Sequence, residues 1–149
     1  MRTDAEEPLE NLAYALKCVL EVAARRKNRT ALMLCEKLRK EMGSTDAGTP
    51  DTVRRLQNMT RRLDWTARDL LKAMKFEMRE VLIPFIEVNR PTHAFGVQMF
   101  PAYFQWLSEE KTYTPGELAA ILEDNMETLL VAREHIIKAR HCQSLLQGR

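Results

Sequence analysis

The residues able to do chemistry are few in this sequence, and the nearest they come to a constellation is Glu127, Glu134 and His141. Their seven-residue steps line them up along one helix face. Two carboxylates and an imidazole are ordinary metal ligands, but a single row on one helix offers no convergence from a second element and reads as a solvated polar face. A ferritin-like di-iron site needs Glu three residues before an inward His. Ala132 and Lys138 stand at those places before His135 and His141, so the pattern fails. His141 and Cys142 are adjacent and diverge by about 100° around a helix axis, too far apart to share a ligand geometry. His93 follows Pro91 in a turn-like stretch and gains no partner from the sequence.

A glycine-rich phosphate loop, a nucleophile elbow and the His-Glu-x-x-His zinc pattern are all missing from the sequence. Three cysteines, Cys18, Cys35 and Cys142, have no metal-like spacing and read as free buried thiols. A site built from Glu109, Glu110 and Tyr103 would need a convergence that sequence does not supply. The chain is therefore expected to be non-enzymatic, with no catalytic residue, no metal and no cofactor.

The informative residues are basic. The stretch TVRRLQNMTRRLDWTARDLLKAMKFEMREVL, Thr52 to Leu82, carries eight Arg and Lys. With each residue turning about 100°, Arg54, Arg61, Arg68, Lys72, Lys75 and Arg79 fall within roughly 60° of one another, opposite an apolar seam. Trp65 and Phe76 project beside these cations. The aromatic segment further along the chain, or the last helix, could cover both rings while long basic stems pack around them. Uncovered, the rings become apolar anchors in a contact surface, since Arg and Trp are enriched at interface hot spots. A nucleic-acid surface is the alternative, with bases stacked on the rings and phosphates on the cations. Asp64, Asp69, Glu77 and Glu80, interspersed in the stretch, weaken that alternative and leave a protein partner in front.

The elements that must position these residues are helical. Leu9, Leu12, Leu16, Val19, Leu20 and Ala23 recur at three- and four-residue steps, and the phase continues through Ala31, Leu34, Leu38 and Met42. One helix over 8–42, ended by Gly43, is the preferred reading; a corner at Arg25 to Arg29 with Thr30 capping a second helix is the other. Thr49 and Pro50 look like a cap and first position, and Val53, Leu56, Leu63, Leu70, Met74 and Val81 carry a second helix over 50–83 to Pro84. Residues 84–113 hold seven of the ten aromatics and three prolines, predicting an aromatic insertion of short helices. Phe95, Met99, Phe100, Tyr103, Phe104 and Trp106 make it a second candidate surface, suited to an amphipathic helix. Thr114 and Glu117 have capping-box spacing and open a last helix over 115–147.

These elements predict one all-α domain spanning 1–149, an antiparallel helical bundle of three long helices with an aromatic-rich insertion. At 149 residues it should bury roughly two thirds of its unfolded surface. The formal net charge is only +2, so any electrostatic role must come from local asymmetry. An odd cysteine count, no secretory leader and no bilayer-length apolar run predict a soluble cytoplasmic protein with no membrane contact. Heptad-like spacing in the second helix is compatible with a homodimer.

Overall fold

The computed structural model describes residues 6–45, 51–82 and 114–147. Among them the chain is all-α, with no strand. Helix α1 spans Glu6–Arg25, α2 Arg29–Ser44, α3 Thr52–Phe76 and α4 Pro115–Gln147, and a π-helical turn, Glu77–Leu82, extends α3. The aromatic insertion, with Phe95, Met99, Phe100, Tyr103, Phe104 and Trp106, lies outside the described residues, as do His93, Glu109, Glu110 and the Thr49-Pro50 start signal.

The long first helix is broken, and the break has a clear local cause. Lys27 takes a left-handed φ of 54°. Its N–H donates to the Ala24 carbonyl at 3.1 Å, and the Asn28 N–H to the Ala23 carbonyl at 3.0 Å. These two crossed bonds are the Schellman arrangement that satisfies the last carbonyls of a helix. Asn28 then caps α2, its Oδ1 accepting from Ala31 N at 3.1 Å. Asn28 thus takes the capping role the sequence suggested for Thr30. Gly43 lies inside α2, which runs on to Ser44.

Side-chain pairs give the helix directions. Asn11 Oδ1 is 2.9 Å from His135 Nδ1, and Arg25 Nη1 donates to Asn125 Oδ1 at 3.0 Å, so α1 and α4 run in opposite directions. Gln143 Nε2 donates to Thr60 Oγ1 at 2.8 Å and Arg140 Nη2 to Asp64 Oδ2 at 2.9 Å, so α3 also runs against α4. Arg62 Nη1 reaches both carboxylate oxygens of Glu41 at 3.0 Å, tying α3 to α2.

The apolar faces meet between these helices. Leu12, Leu38, Leu56, Met59, Leu63, Met74, Leu122, Leu129 and Ile136 are fully buried. The α3 seam is consequently filled by the chain's own helices and requires no second copy to leave water. Thr114 performs its capping role, accepting from Glu117 N at 3.1 Å. The wide apolar face of α4 has α1 and α3 as neighbours, and Leu130 and Ile137 remain exposed on it.

Candidate basic contact surface

The residues of the basic stripe stand on the outer side of α3. Arg54, Arg61, Arg68, Lys72, Lys75 and Arg79 are all exposed, while Leu56, Leu63, Leu70 and Met74 turn inward on the same helix. Trp65 is 66% exposed and Phe76 44%. Helix α4 thus leaves both rings exposed; the aromatic insertion, the other cover the sequence offered, lies outside the described residues. Arg61, Trp65, Arg68 and Lys72 follow one another at steps of four, three and four, which places the indole between cations along a single helical ridge.

Asp64, next to Trp65 in sequence, is only 3% exposed. Three arginines surround its carboxylate: Arg68 Nε at 3.1 Å and Arg140 Nη2 at 2.9 Å from Oδ2, and Arg133 Nε at 3.8 Å from Oδ1. One buried negative charge thus holds three guanidinium groups in place, and two positive charges remain in excess. Such groups lose less freedom on meeting a ligand than unrestrained ones, because their planar forks are already oriented.

Asp64 sits between two basic hollows. Arg54, Arg55, Arg61 and Arg140, with Asp51, Gln57 and Asn58, line one of about 840 Å³. Arg68, Lys72, Lys75, Arg79 and Arg133, with Leu71, Phe76 and Glu80, line the other, of about 450 Å³. Arg133 and Arg140 are contributed by α4 and were not among the residues singled out from the sequence. Their seven-residue spacing was visible, but only the approach of α4 to Asp64 shows which way they face.

Of the acids that dilute the stripe in sequence, Asp64 and Glu77 are withdrawn from it, while Asp69 and Glu80 stay exposed. Asp64 is buried under the arginines and Glu77 is 1% exposed, paired with Arg26. Asp69 lines a separate hollow beside the α1–α2 corner, with Arg26, Asn28 and Thr66 among its neighbours. Glu80 alone of the four lines a hollow of the stripe.

The other chemistry-capable residues among those described do not assemble. Glu127, Glu134 and His141 are exposed along α4. His135 is half-buried, with its ring centroid 4.3 Å from that of Tyr14. Among the described residues no group of three His, Cys, Asp or Glu could hold a metal ion, and no helix is long and apolar enough to cross a membrane. Burial raises the pKa of all three cysteine thiols, with that of Cys35 pushed up to about 11. All are free. A thiol held protonated in this way is a poor nucleophile at neutral pH. No family model, curated protein or solved structure matches this chain.

Proposed function

We propose that the chain is a non-enzymatic interaction protein, adaptor-like or chaperone-like, whose helices form an antiparallel bundle presenting the α3 stripe to an acidic segment of another protein. The observation that carries this reading is Trp65, a large ring 66% exposed and flanked along its ridge by Arg61, Arg68 and Lys72. An exposed indole within reach of cations combines an apolar anchor with charge contacts, the residue types in which binding energy concentrates. Phe76 is a second anchor about 16 Å further along the helix, at 1.5 Å per residue. Charge complementarity selects a partner rich in Asp and Glu and accelerates its capture.

One observation favours a second reading, single-stranded nucleic acid on the same stripe: Asp64 and Glu77 are buried and Asp69 lines another hollow, so a polyanion meets fewer carboxylates than the sequence suggests. A single experiment separates the two. Affinity capture from native lysate compares the intact protein with the variant Arg61→Ala, Trp65→Ala, Lys72→Ala, each with and without nuclease. These three residues are exposed, so their removal spares the core. A protein captured only by the intact form, insensitive to nuclease and then shown to bind as a purified acidic segment, supports the first reading. Nuclease-sensitive capture, with affinity falling by about 0.7 log units per log unit of salt for each phosphate contact, supports the second. Equal capture by both forms removes the stripe from either role.

A further inference from the structure

The smaller hollow has a composition that capture of an acidic protein segment does not require. Five cations, Arg68, Lys72, Lys75, Arg79 and Arg133, face one acid, Glu80, across about 450 Å³, and with Asp64 behind Arg68 and Arg133 the formal surplus among the described residues is +3. Lys72, Lys75 and Arg79 have no carboxylate partner among the described residues. Arg68 is held by Asp64 through Nε at 3.1 Å. Arg133 Nε is buried, finds no hydrogen-bond partner and stands 3.8 Å from Asp64 Oδ1. A monoanion would compensate only a third of the surplus. A chain of phosphates, each carrying about −1 to −2 and several acceptor oxygens, matches both the charge and the forked geometry of the guanidinium groups. Leu71 and Phe76 give the same hollow an apolar wall, and its volume lies within the usual range for small-ligand sites.

We propose that this hollow is a polyphosphate-binding site, occupied by a linear polyphosphate either free or carried by a nucleotide whose base packs against Phe76. Arg133 and Arg68 grip phosphate oxygens from α4 and α3, while Lys72, Lys75 and Arg79 neutralise the chain. Asp64 acts as a positioning residue that aligns the arginines from behind. The site stands apart from the acidic-partner reading, because it requires only the hollow. Its occupant would nevertheless compete with any acidic partner for Arg68, Lys72, Lys75 and Arg79.

Isothermal titration calorimetry on the full chain, with sodium tripolyphosphate, magnesium-free adenosine triphosphate and sodium sulfate at matched ionic strength, tests the proposal. Tripolyphosphate should bind once per chain and sulfate at least about tenfold more weakly. Arg133→Gln should weaken tripolyphosphate by about tenfold, whereas Arg54→Gln, outside the hollow, should leave it unchanged. Should Arg133→Gln lower the melting temperature through its place beside Asp64, the exposed pair Lys72→Gln, Lys75→Gln carries the same expectation. Phe76→Leu weakening the nucleotide alone identifies a nucleotide as the occupant; no effect on either identifies the free polyphosphate. Equal binding of sulfate and tripolyphosphate, or equal losses from Arg54→Gln and the hollow variants, would show diffuse attraction to the stripe and overturn the site.

Discussion

Arg26 Nη2 lies 2.7 Å from Glu77 Oε2, and the two side chains are only 4% and 1% exposed. The pair joins the end of α1 to the first residue of the π-helical turn. Removing one partner from a buried pair leaves the other charge in a low-dielectric interior, whereas replacing both by apolar groups is often close to neutral. Glu77→Ala should therefore destabilise the fold by about 3–5 kcal/mol, and the double replacement Arg26→Met, Glu77→Leu by much less. Urea unfolding of the three proteins checks this. An equal loss from the single and double variants would show that the charges contribute no more than their packing volume.

Trp65 and Leu63 are near neighbours on α3 with opposite exposures, 66% and 1%. Trp65→Ala should change stability by less than about 0.5 kcal/mol while weakening partner capture. Leu63→Ala should cost about 2–5 kcal/mol through the cavity it leaves. Thermal melts beside the capture assay separate the two effects. A large fall in melting temperature for the Trp65 variant would make the ring part of the packing.

The α1–α2 corner depends on a backbone shape and a cap. Lys27 holds φ at 54°, a region glycine enters without a Cβ penalty. Lys27→Gly should raise stability by up to about 1 kcal/mol. Asn28→Ala removes the acceptor for Ala31 N and should lower it by about 1 kcal/mol. Opposite shifts in the denaturation midpoint at these consecutive positions are the expected result.

Cys35 is 1% exposed, and burial, followed by the nearby Glu36 charge, pushes its thiol from 9.0 up to about 11. The folded state binds this proton more tightly than the unfolded state. Its stabilising contribution is thus complete below about pH 9 and disappears as pH rises towards 11. Cys35→Ala should flatten the alkaline decline in melting temperature over that window. In the native protein Cys142, half-buried, should react with a thiol reagent before Cys18 or Cys35, as peptide mapping of the labelled chain would show.

Much of this protein was set by local pattern. Three- and four-residue apolar spacing determines that the described chain is helical and which side of α3 faces inward, because a helix that leaves Leu56, Leu63 and Leu70 in water forfeits its main source of stability. The same periodicity places Arg54 to Arg79 together on the outer face, and Thr114 marks a helix start through its own hydroxyl. The corner at Lys27 was ambiguous because its left-handed residue is a lysine, and the usual glycine signal is missing. Tertiary structure decided what periodicity could not: that α4 brings Arg133 and Arg140 to the buried Asp64, that Arg26 meets Glu77 across the fold, and that Trp65 stays in solvent. Each of these depends on which helix lies beside which. A one-dimensional pattern fixes the face of a helix, and the charge of the surface follows only once neighbouring helices have buried some acids and left their arginines outside.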